Sequence, residues 1–492
     1  MLEKVQEDRT RKLQALKDLG FDPYGARYDT AEAIGSILAR FEEGKEGQVA
    51  DAAGRLVLLR DMGKMIFAHI RDETGQMQIC LRKDTPGKPP KGLEGKHWDL
   101  AKLLDLGDIV AAAGPLMKTR TGETTIFAER LTLLCKSLNP MPEKFHGLQD
   151  VEIRYRRRYL DLMTNPESME VFRKRIAIIE HFRSVLGRRG FVEVETPMMQ
   201  SIYGGAAARP FVTHHNTLDV DLFMRISPEL YLKRLLVGGM GKVFEINRNF
   251  RNEGLDTRHN PEFTMMELYQ ACADYEVMME ITEELISTAA QGIGGAVKLP
   301  YGDVELDYTR PWPRRTYDEL LQEHAGVSMR DPSGVRGKAR ELGIEEGNKD
   351  DAIVVGEVFE AVVEPKLAKM DRPIFVKDYP AELCPLTRRK ADDPSIALRF
   401  ECFIAGMEIA NAYTELNDPA VQEANFRRQL RGEAEGQTMR VMDEDFVTAL
   451  RHGMPPAGGL GIGIDRVVML LTNRTSIRDV VLFPLLRPEG KQ

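Results

Sequence analysis

The stretch Lys242–Ala273 constrains this chain more than any other. It reads as KVFEINRNFRNE, a strand, then LDTRHNPE, a loop, then FTMMELY, a returning strand. Side chains alternate between the faces of a sheet, so Arg251 and Glu253 share one face of the outgoing strand. Phe263, Glu267 and Tyr269 share one face of the return. If those faces coincide, one floor holds a guanidinium, two carboxylates, an aromatic ring and a phenol. Burying that mixture as core is costly, because unpaired charges must be neutralised. Either the face is solvated, or it receives a ligand carrying phosphate, purine and ammonium groups.

Three further stretches surround the hairpin. In Glu167–Met199, Phe172, Ile176, Ile179, Phe182 and Leu186 recur at helical spacing, Gly190 supplies a stop, and Phe191–Glu195 is extended before Thr196–Pro197. Taken alone, that is compatible with plain core and turn. In Gly458–Thr472 (GGLGIGIDRVVMLLT), alternating glycines let the backbone approach a ligand closely. The apolar run then predicts a helix opening near Asp465–Arg466, and a helix N-terminus is already favourable for anions. An ordinary tight connection would give the same glycines. Between these lies RFECFIAGMEIANAYTELND. If Ala405–Gly406 is a two-residue turn, Phe403 opposes Glu408, and Glu401 and Glu408 project from the same face. Two carboxylates there suit Mg²⁺, which also takes oxygens from phosphates and water. Simple alternation then turns Asn411, Tyr413 and Glu415 to the opposite face. A bulge near Ile409–Ala410 is required if all are to serve one site.

The chain of 492 residues is long enough for two or three domains. Residues 1–46 read as a helical extension, with Arg9, Arg11, Lys12 and Lys17 giving it a basic side. Residues 47–143 change to short strands, at Arg55–Leu59, Met65–Ile70, Gln76–Leu81, Asp108–Leu116 and Thr124–Leu134, with a helical break at His97–Leu106. That pattern matches an oligonucleotide-binding (OB) barrel. Residues 144–166 read as a Pro-rich, then basic linker, whose four arginines within Arg154–Arg158 suit either phosphates or inter-domain ion pairs. Residues 167–492 form the larger α/β region. No apolar run approaches the ~18–20 residues needed to span a bilayer, and the charged N-terminus has no signal-peptide core. Five scattered cysteines without metal or redox spacing fit a reduced cytoplasm. The net charge of −8 argues against bulk nucleic-acid affinity but not against a local basic face.

In order, the three stretches resemble motifs 1, 2 and 3 of class II aminoacyl-tRNA synthetases: GFVEVETP within about 172–197, the F-R-x-E hairpin of about 242–273, and the glycine-rich turn of about 458–472. GGAAARPFVTHHN, PELYLKRL, RHNPEFTMMELY and NAYTELND resemble the lysyl-tRNA synthetases specifically, over nearly the whole chain. The resemblance implies an N-terminal OB-fold barrel and a catalytic domain built on an antiparallel sheet flanked by helices. It also implies a cytoplasmic homodimer joined through motif 1 that takes ATP, Mg²⁺, L-lysine and tRNA(Lys). Arg251 and Arg466 are then the catalytic arginines, Arg251 bridging the substrate carboxylate and α-phosphate and Arg466 gripping the γ-phosphate. Glu253 accepts from the adenine amino group and Phe263 stacks on the purine. Arg258, His259 and Asn260 serve the ATP site with Glu401, and Glu401 and Glu408 hold the metal. Lysine falls to Gly205, Glu229, Arg251, Glu267, Tyr269, Asn411, Tyr413 and Glu415, with Glu229 at the α-ammonium and Glu415 and Tyr269 at the ε-ammonium. In the barrel, Phe67 stacks on the central anticodon base, Gln78 and Glu129 read base edges, and Arg60 lies near the backbone. An aspartate in such a Glu-lined pocket would meet like charge, at a cost of several kcal/mol.

The chain departs from commoner family patterns at Ser227, Ala410 and Cys384. Ser227 is expected to narrow or repolarise the pocket near the α-amino group. Two rival readings remain: a synthetase-like ligase that attaches lysine to a protein, and an inactive regulatory paralogue. The barrel argues against the first. The second should have lost one of Arg251, Glu253, Glu401, Glu408 or Arg466, and all five are present.

Overall fold

The computed structural model describes residues 2–42, 46–85, 87, 90–142, 148–206, 208–347, 349–429 and 442–489. It divides into two compact units, residues 1–149 and 150–492. The boundary expected at 143/144 lies outside the described residues.

The first unit carries helices α1 (Leu2–Asp18), α2 (Ile34–Arg40) and α3 (Lys96–Lys102). Its strands are β1 (Val49–Asp61), β2 (Met65–Arg71), β3 (Gln76–Arg82), β4 (Ile109–Lys118), β5 (Thr124–Ala128) and β6 (Arg130–Cys135). Strand β1 pairs with both β2 and β4, which closes the sheet into a barrel. Along β2 the period-two pattern sorts Ile66, Ala68 and Ile70 into the core and leaves Phe67 and His69 half-buried. Leu16, Ile34 and Ile37 are buried in that same core, so the N-terminal helices pack as part of this unit rather than as a separate extension. The single strand expected over Thr124–Leu134 is broken at Glu129. Strand β5 runs parallel to β3, while β6 runs antiparallel to β4. The Glu129 N–H bonds the Ala113 carbonyl at the break.

In the second unit, α4 (Val151–Arg156) and α5 (Arg158–Thr164) precede the long α6 (Pro166–Arg188). The stretch read as a linker is therefore helical from Val151. Two of its arginines are committed inward. Arg158 is fully buried, donating to Asp161 (2.7 Å) and to the Leu482 and Arg478 carbonyls, and Arg154 reaches the same Asp161 (2.8 Å). Neither lies free for phosphates.

The strands of this unit are β7 (Val192–Glu193), β8 (Met199–Gln200), β9 (Val212–His215), β10 (Val220–Met224), β11 (Lys242–Phe250), β12 (Glu262–Ala271), β13 (Lys298–Tyr301), β14 (Val304–Asp307), β15 (Arg314–Thr316), β16 (Ile374–Pro380), β17 (Ile396–Ile404), β18 (Met407–Thr414) and β19 (Ala457–Gly463). Eight form one sheet in the order β15-β16-β17-β18-β19-β12-β11-β7, antiparallel except for the pairings at its two ends. Alternation gives this sheet two unlike faces. Phe400, Cys402, Ala412, Leu460, Ile462, Met266 and Leu268 join the apolar core with residues of α6 and of α8 (Tyr275–Ala289). The intervening residues, among them Arg399, Glu401, Asn411, Tyr413, Glu267 and Tyr269, line a cavity on the other face. Helix α7 (Glu229–Val237) packs over β11 and β12.

A buried ion pair ties the first motif to the hairpin. Arg225 donates to Glu245 (2.6 Å), and the Thr196 hydroxyl donates to the other oxygen of that carboxylate (2.7 Å). Both charged residues are essentially inaccessible. Removing one partner strands the other charge, so Arg225→Met is expected to destabilise the second unit by about 3–5 kcal/mol. A thermal denaturation scan beside the parent protein measures it.

Candidate active site

The cavity has a volume of about 550 Å³ and runs along the polar face of the sheet. At one end it is cationic. Strand β11 stops at Phe250, so Arg251 and Glu253 do not lie on a strand face as alternation predicted. The Arg251 N–H bonds the Pro261 carbonyl, and the Glu253 N–H turns back onto the Arg251 carbonyl. Both still line the cavity. The Arg251 guanidinium lies 5.1 Å from the Phe263 ring centroid, and its buried Nε has no partner among the described residues. Arg466, in the first turn of helix Ile464–Leu471, donates to the Glu408 carbonyl (2.6 Å) and stands 3.2 Å from His259 Nε2. His259 Nδ1 is held by Asp256 (2.8 Å), and Arg258 reaches the Gly406 carbonyl (3.3 Å). Asn260 is buried with its Oδ1 unpartnered among the described residues. Burial lowers the Arg466 pKa, and the nearby positive charges of Arg251 and Arg258 push the same way. A cluster of cations, with Arg251 and Arg466 half-buried and Arg258 exposed at the rim, is a site for a polyanion.

The middle of the cavity depends on one extra residue. Phe403 pairs with Glu408, but Cys402 pairs with Ala410, so Ile409 is a bulge. Beyond it Asn411 opposes Glu401 and Tyr413 opposes Arg399. The phase of β18 is reset, and Glu401, Glu408, Asn411 and Tyr413 all line the cavity. The Asn411 amide approaches Glu408 Oε1 (3.4 Å). Glu401 accepts from Tyr379 (2.9 Å) and pairs with Arg399. Burial pushes the Glu401 carboxyl up to about 7; the charge of Glu408 adds to this and Arg399 opposes it. Among the described residues no group of three or more His, Cys, Asp or Glu side chains could cage a metal alone. Two carboxylates are nonetheless the donor set that Mg²⁺ takes when phosphate oxygens and water complete its shell.

The far end is acidic. Gly205 sits at φ +84°, a backbone region that suits glycine, and a Cβ there would press on Ser227 and Glu229. The Ser227 hydroxyl donates to Glu267 (2.9 Å) and accepts from the Glu229 N–H (3.1 Å), so it polarises this corner. Glu229, Glu267 and Tyr269 line the cavity. Glu415 stands one layer behind: it is fully buried, and Gly459 and Tyr269 lie between it and the cavity. A side chain at Gly459 would collide with Glu415 Oε1 and the Tyr269 ring. Burial pushes the Glu267 carboxyl up to about 7 and the Glu415 carboxyl up to about 8, with Glu229 repelling both. Lys233, one turn along α7 from Glu229, bonds Glu229 Oε1 (2.7 Å) and pairs with Glu415 Oε2. Of the residues noted as departures, Ala410 faces the apolar core, while Cys384 is buried with its Sγ accepting from Arg399 (3.5 Å).

On the barrel, Phe67 is half-buried on the outward side of β2, next to Arg60 in register, so it is not a core residue. Gln78 opposes His69, and its amide donates to Glu123 Oε2 (2.7 Å) and accepts from Thr125 (2.8 Å). Glu123 also meets His69 Nε2 (2.6 Å). Glu129, expected in this group, is exposed at the break between β5 and β6; the carboxylate beside Gln78 is Glu123. A Thr-Gly-Glu turn just before a strand that pairs with β3 was the signal available for it.

The family profile described as tRNA synthetases class II (D, K and N) matches residues 150–487, more than half of the chain. The chain belongs to this family. A second profile, the OB-fold nucleic acid binding domain, matches residues 50–134. The synthetase is similar along almost its whole length to proteins named lysine--tRNA ligase. It is 52% identical to that of Pelotomaculum thermopropionicum, over 99% of this chain and 96% of the relative. It is 50% identical to that of Carboxydothermus hydrogenoformans, over 99% of each, and 49% identical to that of Moorella thermoacetica, over 98% and 97%.

Sequence reasoning missed Lys233 and Arg399. Arg399 lies two residues before Glu401 on the same face of β17, bonds Asn411 (3.2 Å) and lies over the Tyr379 and Tyr413 rings. Its alternation with Glu401 was readable. Lys233 stands i+4 from Glu229 in an otherwise apolar helix face. The acidic end of the synthetase's cavity makes a pH prediction. Burial keeps protons on Glu267 up to about 7 and on Glu415 up to about 8. An incoming ammonium needs them ionised, so affinity for a diammonium probe such as cadaverine rises as pH climbs through that window, by up to about tenfold per unit for each carboxyl that must lose its proton. Calorimetric titration in buffers of different ionisation enthalpy reads both the affinity and the protons released.

Proposed function

We infer that this synthetase is a lysine--tRNA ligase, which activates L-lysine with ATP and transfers it to tRNA(Lys). The observation that carries the choice of amino acid is the buried acidic end of the cavity, where Glu229, Glu267 and Glu415 cluster and Glu415 Oε1 has no partner among the described residues. An aspartate or asparagine side chain brings no cation to it. Near-complete similarity to lysine--tRNA ligases supports the same reading.

The lysine α-ammonium is assigned to Glu229 beside the Gly205 backbone, with Ser227 holding Glu267 alongside. The ε-ammonium is assigned to Glu415 and Tyr269, with Asn411 and Tyr413 lining the path. Arg251 takes the substrate carboxylate and the α-phosphate of ATP, a task suited to a guanidinium fork whose Nε is unpartnered. Phe263 offers the adenine a ring face and Glu253 accepts from its amino group. Arg466, with Arg258 and His259 beside it, takes the outer phosphates. Glu401 and Glu408 would hold Mg²⁺, which supplies charge neutralisation on the phosphates when bound.

A lysine carboxylate is ionised at neutral pH, so the first step needs no general base. The chain's work is alignment and charge neutralisation. A carboxylate oxygen attacks the α-phosphorus, the bond to the β-phosphate oxygen breaks, and pyrophosphate leaves lysyl-adenylate. The 3′-terminal hydroxyl of the tRNA then attacks the mixed anhydride and AMP departs. The barrel supports tRNA rather than a protein as acceptor, with Phe67, Gln78, Arg60 and, in place of Glu129, Glu123 as the anticodon-reading set. Retention of Arg251, Glu253, Glu401, Glu408 and Arg466 speaks against an inactive paralogue. Homodimerisation through the first motif is supported by the exposed apolar residues Ile176, Val192 and Met199 next to the edge strand β7. No helix among the described residues is long and apolar enough to cross a membrane. The five cysteines are free thiols, consistent with a reduced cytoplasm.

ATP–pyrophosphate exchange with each of the standard amino acids and β-lysine tests the assignment. Exchange is expected with L-lysine; exchange driven by aspartate or asparagine instead overturns it. Glu415→Gln should raise the KM for lysine at least about tenfold, the scale of one lost charged hydrogen bond, and leave the KM for ATP within about twofold. Phe67→Ala should weaken tRNA charging by about 1–3 kcal/mol of lost stacking without altering tRNA-independent exchange. Parallel charging and exchange assays separate the two.

A further inference from the structure

Lys233 is a lysine with no accessible surface, in an enzyme whose substrate is inferred to be lysine. Its ammonium touches the two carboxylates assigned to opposite ends of that substrate: Glu229 Oε1 at 2.7 Å and Glu415 Oε2. The Tyr269 ring centroid lies 6.0 Å away. Leu230, Leu232 and Leu236 around it on α7 are buried and apolar. Without its two acidic partners, an ammonium in such surroundings would lose several kcal/mol of hydration for nothing in return. Glu415 is equally dependent: burial alone would neutralise it.

The geometry distinguishes the two oxygens of Glu415. Oε2 is ion-paired with Lys233. Oε1 lies against the place a side chain on Gly459 would fill, and neither oxygen has a hydrogen-bond partner of good geometry among the described residues. Gly459 lines the cavity. Lys233 thus fixes which oxygen is offered. It also sets the charge that the pocket lacks. With all three ionised, as an ammonium ligand requires, Glu229, Glu267 and Glu415 are faced by Lys233 and Arg251, Arg225 being already paired with Glu245, and the remaining single negative charge matches the net charge of a lysine zwitterion with its side-chain ammonium.

From this we propose that Lys233 is a positioning and specificity-determining residue, which aims Glu415 Oε1 at the side-chain ammonium of the amino acid and leaves the pocket one positive charge short. The inference rests on the lysine--tRNA ligase reading. It acts through Glu415, so the two residues must behave as one unit. The charged and titratable groups facing Lys233 are Glu229 from its own helix, Glu415 from the segment after β18 and Tyr269 from β12, with Glu267 behind them.

The test compares wild type, Glu415→Gln, Lys233→Met and the double variant by ATP–pyrophosphate exchange with L-lysine. Lys233→Met should raise the KM for lysine at least about tenfold, hold the KM for ATP within about twofold, and move the acid limb of kcat/KM for lysine up by about one pH unit or more, since the carboxylates lose their counter-ion. The double variant should lose clearly less beyond Glu415→Gln than Lys233→Met loses from wild type, because the partner through which Lys233 acts on the side-chain ammonium is already gone and only the Glu229 contact is left to lose. Removing both charges together is also gentler on folding than stranding one, so the pair Glu415→Gln and double variant decides the matter even where Lys233→Met alone does not fold. If the losses multiply, or if lysine and ATP constants fall together with an unmoved pH profile, Lys233 is a packing residue and the inference is overturned. If wild type fails to exchange with lysine at all, the parent reading falls instead.

Discussion

A buried cluster of like charge needs a reason to exist, and the polar face of the eight-stranded sheet supplies one at Glu229, Glu267 and Glu415. Three carboxylates shut away from water repel each other and resist ionisation, and folding tolerates them because Lys233 and Ser227 bind them from within. What those two residues leave unsatisfied is what the cavity is built to receive. At its other end Arg251, Arg258 and Arg466 form the opposite arrangement, cations whose mutual repulsion is relieved by a polyanion. The cavity is thus polarised along its length, and a ligand pair carrying ammonium groups at one end and phosphates at the other fits in one orientation only.

The scaffold beneath explains why such unlike ends hold still. The core face of the same strands is uniformly apolar and packed on α6 and α8, so the strands cannot slip by one residue without sending charge into the core. Arg225, Glu245 and Thr196 then lock the start of the hairpin to the segment after α6, a connection made of buried charge that tolerates little displacement. Rigid support of this kind is what positioning chemistry requires, since alignment of reacting groups is lost over distances of about 1 Å.

Much of this was legible in the sequence because alternation is a local rule. The hairpin, the glycine-rich turn into a helix and the shared face of Phe263, Glu267 and Tyr269 follow from side-chain period alone. The need for a bulge near Ile409 was derivable by contradiction, since without it Asn411 and Glu408 could not face one cavity. What escaped was set by termination and by distance. Strand β11 ends at Phe250 because the chain turns there, so Arg251 and Glu253 reach the cavity from a loop. Nothing local in PELYLKRL marks Lys233 as buried, and only the packing of α7 onto the sheet turns it inward. On the barrel, Glu129 and Glu123 are both acidic residues near the same strand, and only the parallel pairing of β5 with β3 puts one of them beside Gln78.

The single-residue bulge at Ile409 has a consequence for how this site can vary. Upstream of it the hairpin presents Glu401 and Glu408, the carboxylates proposed for the metal; downstream it presents Asn411 and Tyr413, proposed to line the path of the amino acid. The two halves are joined by a count of residues rather than by any side chain, so the register works like a vernier. Replacing Ile409 with another apolar residue preserves the offset. Deleting it would also leave Ala410 opposite Cys402 and Asn411 opposite Glu401, now as a regular ladder, whereas drawing Ile409 into the ladder would turn Asn411 and Tyr413 toward the core and bring Ala410 and Ala412 to the ligand. Divergence in amino-acid choice can therefore proceed by exchange of side chains on the downstream half, so long as any extra residue in this hairpin is held out of the ladder.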